Sequence, residues 1–443
     1  MEKIELYYRL PVFAQHVATS VYGYKLKRER YTKIYHRYFE LYRNHKISEK
    51  QALTDLLNHL QEKVEAYKDI RVDTDNVLES FYALDETDKE TLRNSLDKYS
   101  CREGKIMYGS TSGTTGKNLV VYQSEEDMGR RMAYLDYIKS LHGVEPFSKR
   151  ASFTGNFIMS EKHHNKLWRR NISMNQTLYA SYFMTHANVK YIYRHLAETR
   201  PVTLDGLPSA IHLLAQYILK NNINIDWNIK AVFPTAEAVL PHMKDDIENA
   251  FNTVVVDQYA SGEGAPFLYL GPDKKYVVGS ETGLFEFYKV QDSIYDIVVT
   301  SYINYATPIV RYRIGDQVEI KSDKDYLNSY CDDIQIERII GRGGDYLTGE
   351  FGQKVTAVNV TWMLAGYEDK VVQYQVIQKS NHEFLINMVV DKNYDYSVDE
   401  AVIRERFKRR FGDKVFVFKY MDDIPKGKNG KVRFIINEAG GTV

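Results

Sequence analysis

The sequence predicts an α/β protein in two parts: a large mixed α/β body with a helical N-terminal segment, and a small α+β domain at the C-terminal end. Three observations carry this expectation. A length of 443 residues exceeds what one hydrophobic core usually supports. Between 109 and 259 short apolar runs alternate with helical patterns, the signature of a parallel sheet covered by helices. A glycine cluster, Gly341-Arg342-Gly343-Gly344-Asp345, then marks off a C-terminal stretch of about 100 residues with strands and a helix of its own.

From about 29 to 105 apolar residues recur three or four apart, as in Ile34, Tyr38, Leu41 and again Ala52, Leu56, Leu60, which is a helical spacing. Thr87 is expected to cap a helix over 88–97, with Glu90 completing a capping box. A Gly/Ser/Thr cluster at 109–116 leads into a strand at 118–122 and a helix at 125–142. The alternation continues with a helix at 209–221, a strand at 230–234, a helix at 241–251 and a strand at 253–259. The stretch 283–320 is β-rich and hairpin-like. Beyond the glycine cluster come strands at 371–377 and 384–390, a helix at 398–411 and a strand at 415–420. The expected division is a body over 1–340, a hinge at 341–345 and a small domain over 346–443.

Hydrophobic residues make up 44% of the chain, and 10 prolines with 26 glycines exclude a low-complexity or collagen-like protein. Lys+Arg and Asp+Glu both total 59, so no global field draws in nucleic acid or an anionic membrane, and a small-molecule substrate is expected. The two cysteines, Cys101 and Cys331, are too far apart for a CxxC zinc site and too few for a disulfide scaffold, which suits a reducing cytoplasm. The apolar opening stretch is interrupted by Glu5, Arg9 and His16, and no window reaches the roughly 20 apolar residues of a membrane span.

The richest local signal is the run from Tyr108 to Lys117, Tyr-Gly-Ser-Thr-Ser-Gly-Thr-Thr-Gly-Lys. Its glycines let the backbone approach a polyanion, its N–H groups and hydroxyls are donors to phosphate oxygens, and Lys117 adds a positive charge. It is not a Walker A loop, because Thr111 stands where the first glycine belongs and Asn118 follows the lysine. A polar turn is the alternative at this point. Asp257-Gln-Tyr-Ala-Ser-Gly-Glu263 offers an aromatic face suited to a purine and a hard carboxylate suited to Mg²⁺, or else a loop glutamate beside a core tyrosine. Thr307-Pro-Ile-Val-Arg-Tyr-Arg-Ile-Gly-Asp316 ends in a carboxylate whose two oxygens suit a ribose diol. Pro234-Thr-Ala-Glu237, Ile339-Ile-Gly-Arg342, Gly352-Gln-Lys-Val355 and the basic loop Ile424-Pro-Lys-Gly-Lys-Asn-Gly-Lys431-Val-Arg433 complete the series.

Taken in order, these segments resemble the adenylate-forming superfamily of acyl-CoA synthetases over about 105–435, and within it phenylacetate-CoA ligases and related capsular-polysaccharide proteins. The resemblance implies that Thr111, Ser112, Gly113, Thr114, Thr115, Gly116 and Lys117 hold the phosphates of ATP. It implies that Ala236, Glu237 and Tyr259 lie against adenine, that Asp316 holds the ribose with Arg342 nearby, and that Glu263 binds Mg²⁺. Gly352 would approach the acceptor, and Lys431, on a small domain that rotates, would assist the carboxylate. Leu207-Pro-Ser-Ala210 resembles the segment ahead of the acyl pocket, for which Phe157, His186 and Ala236 are candidates. Two departures stand out: Ala260 follows Tyr259 where glycine is usual, and Gly344 occupies a hinge position that often carries aspartate or lysine.

The activity so implied is ATP-dependent conversion of a carboxylic acid to acyl-AMP with release of pyrophosphate, then transfer to coenzyme A. Transfer to an amine, as in amide-forming ligases of surface-polysaccharide assembly, stays open, as does an idle nucleotide-binding protein on the same fold. A homodimer also stays open. Residues 265–283 contain neither cysteine nor histidine, so no metal beyond Mg²⁺ is implied.

Overall fold

The structure is a computed structural model describing residues 3–111, 119–154, 158–159, 166–184, 187–236, 239, 241–291, 293–341, 346–350, 354–356, 360, 363–367, 370–422, 424 and 435–439. The opening stretch forms α1 (Lys3–Arg9) and α2 (Val12–Arg30), separated at Pro11, whose ring cannot continue a helix but starts one readily. Four more helices follow: α3 (Lys33–Arg43), α4 (Glu49–Lys63), α5 (Val77–Tyr82) and α6 (Lys89–Asn94). The cap of α6 is one residue later than the sequence suggests. Asp88 accepts from the Thr91 N–H, while Thr87 donates its hydroxyl to the Val310 carbonyl at 2.7 Å. Thr87 and Asp88 form the short strand β1, which pairs with the strand beginning at Tyr312, and that ladder takes Thr87 away from the helix.

A hairpin of β2 (Ile106–Thr111) and β3 (Leu119–Ser124) leads into α7 (Glu125–Leu141). Ser124 and Asp127 make a reciprocal capping box there, and three acidic residues occupy the first turn, favourable at the positive end of a helix. The central sheet has the order β5-β6-β4-β7-β8-β9, from β4 (Arg150–Thr154), β5 (Trp168–Asn171), β6 (Gln176–Ala180), β7 (Thr203–Gly206), β8 (Ala231–Pro234) and β9 (Val254–Val255). Only the edge strand β5 runs antiparallel. Helices α8 (Val189–Thr199), α9 (Pro208–Lys220) and α10 (Pro241–Phe251) bury Ile192, Leu196, Ile211, Leu214 and Ile247 against it. At its carboxyl edge Gly206 has φ +124°, and a Cβ there would lie 2.1 Å from the Phe153 carbonyl oxygen. Only glycine fits such a close approach.

The single strand expected at 253–259 is two strands in two sheets. β9 ends the parallel sheet, and after Val256 and Asp257 the chain enters β10 (Gln258–Tyr259), which pairs with β11 (Leu268–Leu270), itself paired with β12 (Tyr276–Val278). A third, mostly antiparallel sheet follows, built on β13 (Gly283–Gln291), β14 (Ile294–Ser301) and β15 (Tyr312–Ile320), with β16 (Tyr326–Asn328) and β17 (Ile336–Gly341) at its margins. Several of the abundant tyrosines have a packing role, since Tyr35, Tyr42, Tyr134, Tyr137 and Tyr269 share one buried cluster between α3, α7 and β11.

The smaller C-terminal unit has a two-stranded pair, β18 (Tyr346–Thr348) with β19 (Lys354–Thr356), and a four-stranded sheet. That sheet combines β20 (Val371–Gln378), β21 (Glu383–Val390), β22 (Val415–Tyr420) and β23 (Ile435–Asn437). The helix α11 (Asp399–Phe411) covers it with Ile403, Phe407 and Phe411. These belong to a core drawn entirely from residues between Leu347 and Ile435. The molecule is therefore a mixed α/β body with N-terminal helices and a smaller C-terminal sheet domain. Among the described residues no helix is long and apolar enough to cross a membrane.

Candidate active site

The Gly/Ser/Thr loop springs from the β2–β3 hairpin, paired from Ile106 opposite Ser124 to Thr111 opposite Leu119. Thr111 is the last residue of β2; Ser112, Gly113, Thr114, Thr115, Gly116 and Lys117 lie outside the described residues. What is described is how the base of the loop is held. The Tyr122 N–H donates to the Thr307 hydroxyl at 2.8 Å, tying β3 to the start of the Thr307–Asp316 motif. One turn into α7, the buried Asp127 carboxylate accepts from the N–H groups of Ser124, Tyr305 and Ala306 at 2.8, 2.9 and 3.1 Å. One carboxylate thus caps a helix and fixes the entry to the motif.

At the far end of that motif the structure joins two residues that lie 57 positions apart in sequence. The Tyr259 hydroxyl donates to Asp316 Oδ2 at 2.8 Å, with the Tyr259 ring buried edge-on against Phe285. A fixed aromatic ring and an oriented carboxylate now share one corner, where β10 meets β15. The neighbouring Asp257 is half-buried; desolvation raises its carboxyl above the ordinary range, and it accepts from the Tyr276 hydroxyl at 2.7 Å. The start of β15 is held by Arg311, whose φ is +42° and whose guanidinium grips the fully buried Glu286 at 3.0 and 3.2 Å. A left-handed, non-glycine residue costs of order 1–3 kcal/mol, and this charge-assisted fork offsets it.

Glu263 lies on the short loop after β10 and is 6% exposed. Two residues that sequence reasoning passes over pin that loop. Asn304 donates to the Glu263 carbonyl at 3.4 Å, against Gly264, whose φ of +90° few other residues adopt. Arg131 of α7 donates to the Ser261 carbonyl at 2.7 Å, while its Nη1 is buried and has no hydrogen-bond partner among the described residues. Burial pushes the Arg131 guanidinium down to about 10, and the Glu263 charge opposes that shift. The available signal was its place one turn from Met128, Tyr134 and Leu135, on a stripe that the helical period turns inward.

Ala236, where β8 ends, is exposed and has φ +68°, a conformation unusual for a residue with a Cβ and common where backbone serves a site. Gln258 donates to the Pro234 carbonyl at 3.4 Å, so the Ala236 turn and the Tyr259 strand are held together. Both follow the carboxyl ends of parallel strands, where open α/β sheets bind ligands. Glu237, Phe157, His186, Arg342, Gly352 and Lys431 lie outside the described residues. The geometry joins Tyr259 to Asp316 directly, holds the Ala236 turn to the Tyr259 strand through Gln258, and ties the Glu263 loop to β3 through Asn304 and Thr307. As for a metal, no group of three or more His, Cys, Asp and Glu among the described residues would hold one unaided. A single carboxylate on a pinned loop, Glu263, fits Mg²⁺ arriving on phosphates, since that ion is commonly held by one or two carboxylates plus substrate oxygens.

Over 446 residues the chain is 34% identical to a protein named CapK from Staphylococcus aureus, and the match covers 98% of each. The chain belongs to the CapK family. A model described as the CapK C-terminal domain matches residues 347–438 of this CapK-family protein. Among solved structures it is similar to 2-hydroxyisobutyryl-CoA ligase in complex with 2-HIB-AMP and CoA in the thioesterification state. That likeness has a TM-score of 0.54 at 16% identity, over 88% of this chain and 89% of that one. The same ligase in its postadenylation state with R3-HIB-AMP gives a TM-score of 0.50 at 15% identity and the same coverage. The likeness is one of fold, and the fold of this CapK-family chain is that of an adenylate-forming ligase.

Proposed function

We propose that this CapK-family protein is an ATP-dependent ligase that converts a carboxylic acid to its acyl-adenylate, releasing pyrophosphate, and then transfers the acyl group to coenzyme A. The observation that carries the reading is the Tyr259–Asp316 hydrogen bond, 2.8 Å long, at the corner shared by the phosphate hairpin and the Glu263 loop. In this reading Tyr259 faces adenine, Asp316 accepts from the ribose hydroxyls, and the loop 111–117 donates to the phosphates. Ala236 and Glu237 border the adenine, with Phe157 and His186 on the side of the acid. Glu263 would hold Mg²⁺, which supplies neutralisation of phosphate charge. Lys431 would place a cation between the attacking carboxylate and the α-phosphate, where preorganised charge matters most. Positioning of this kind accounts for most of the catalysis in phosphoryl and nucleotidyl transfer.

The same proposal places a hinge at 341–345, so that the small domain docks with Lys431 for adenylation and rotates to bring Gly352 to the acceptor. Transfer to an amine would use the same first half. The test is a screen of acids against coenzyme A and amines, with products weighed by mass spectrometry. A thioester supports the full reading. An amide with no thioester would replace coenzyme A by an amine, and no acyl product from any pair would sink the transfer step.

A further inference from the structure

Helix α2 turns polar and small residues inward and leaves a stripe of apolar residues exposed. The side turned to the protein is polar and small: Gln15 is fully buried and accepts from Arg169 Nε at 2.6 Å, His16 accepts from the Arg170 N–H at 2.9 Å, and Ser20 Oγ accepts from the Ile172 N–H at 3.1 Å. A Cβ on Gly23 would lie 2.0 Å from the Asn171 side chain, so the helix sits flush on β5 and the turn after it. The apolar residues point the other way. Phe13, Val17, Val21 and Tyr24 are 72, 59, 64 and 57% exposed, and their spacing of four, four and three is one helical stripe. Leu6 on α1 is 59% exposed and Ile172 beside the helix 79%. Contiguous exposed apolar surface of this kind marks an interaction site.

Charge identifies the partner. The chain as a whole is neutral, yet residues 3–30 hold six basic and two acidic side chains, and exposed Arg9, Lys25 and Arg28 flank the stripe at both ends. Beside it runs a groove of about 390 Å³ lined by Val21, Tyr24 and Met107, with Lys25, Arg28 and Lys105 against Glu29 and Glu125. A second copy of the chain fits poorly, because a two-fold contact is self-complementary. Antiparallel helices would set Arg9 towards Lys25 and Arg28, and parallel ones would set Lys25 against itself.

We propose that α2 is a docking surface for an anionic lipid membrane, lying in the interface plane with Phe13, Val17, Val21 and Tyr24 at the acyl boundary and its cations on the headgroups. Exposed apolar residues beside basic ones bind membranes in this way, through buried apolar area plus attraction to anionic lipid. The absence of a global field is no obstacle, since the attraction acts within about a Debye length of the surface. The experiment is sedimentation of the full chain with vesicles of phosphatidylcholine alone or with added phosphatidylglycerol, at low and high salt. Expected is binding to the anionic vesicles that salt weakens, falling roughly tenfold or more in Phe13→Ser/Val17→Ser/Val21→Ser and in Lys25→Glu/Arg28→Glu. Both variants keep ATP binding and the wild-type circular dichroism melt; because the charge pair is fully exposed, it carries the test should the apolar variant misfold. Equal binding to neutral and anionic vesicles, or no binding, overturns the proposal. A dimer in analytical ultracentrifugation that the apolar variant dissociates, without vesicle binding, overturns it in favour of a second copy.

Discussion

In the proposed site Asp316 and Tyr259 divide one task, and separate substitutions pull it apart. Asp316→Ala removes the acceptor of the Tyr259 hydroxyl and the one proposed for ribose, and loss of a charge-assisted hydrogen bond costs about 1.5–3 kcal/mol, so calorimetry should show ATP affinity falling at least tenfold. Tyr259→Phe keeps the aromatic face and loses only the 2.8 Å bond; its ATP affinity should fall between wild type and Asp316→Ala. Equal affinities in all three would remove the pair from the nucleotide site. Arg131 makes a sharper case, because its Nη1 lies buried without a partner among the described residues and its charge interacts with Glu263, the carboxylate proposed for the metal. Removing one partner of a buried charged contact lowers stability, and loss of a group supporting a metal ligand costs a further roughly 10- to 100-fold in activity or metal affinity. Arg131→Met is therefore expected to melt below wild type and, at temperatures where it stays folded, to need much more Mg²⁺ for half-maximal rate. A variant that unfolds at every Mg²⁺ concentration would make Arg131 structural.

At the scale of elements, much of the frame is readable from the sequence because strand and helix periods are strong and locally capped. Strand β22 and helix α10 have the expected bounds. What was not readable was set by long-range pairing. Thr87 is a good cap by residue type, but pairing of β1 with β15 draws its hydroxyl to Val310, and the cap passes to Asp88. The apolar run at 253–259 has no internal break, and only the meeting of two sheets divides it at Val256 and Asp257. Helix α2 escaped notice because Lys25, Lys27, Arg28 and Arg30 crowd its last turns and blur the helical spacing of Phe13, Val17, Val21 and Tyr24. Asp127 is the element-scale joint, binding α7, β3 and the segment before Pro308 at once. Asp127→Ala leaves backbone N–H groups at Ser124, Tyr305 and Ala306 without an acceptor, at about 1–3 kcal/mol for each that stays buried. The chain should melt several degrees lower, and ATP affinity should fall at temperatures where the fold persists. An unchanged melting temperature would mean that water or another acceptor replaces the carboxylate.

At the scale of the whole molecule, the site is legible in sequence as an ordered series of motifs, and the structure adds the contacts that draw Tyr259, Glu263 and Asp316 to the base of one hairpin. The proposed division of labour puts Lys431 on the small domain and the nucleotide on the body. Lys431→Ala should then depress adenylation about a hundred- to a thousandfold while leaving transfer from synthetic acyl-AMP close to wild type. Lys426→Ala and Lys428→Ala serve as controls, since a loop that is merely basic responds to all three alike. Gly344→Pro fixes φ and removes a donor at the proposed pivot, and should slow one half-reaction far more than ATP binding.

The central claim is that this site splits ATP between its α- and β-phosphates in response to an acid. Its most direct test is to incubate the wild-type chain with ATP, Mg²⁺ and a panel of carboxylic acids and identify the nucleotide product by chromatography. The account predicts acid-dependent AMP and pyrophosphate, with isotope exchange between pyrophosphate and ATP, both reduced at least tenfold in Asp316→Ala. Formation of ADP and phosphate instead, or ATP binding with no acid-dependent exchange across the whole panel, would contradict it.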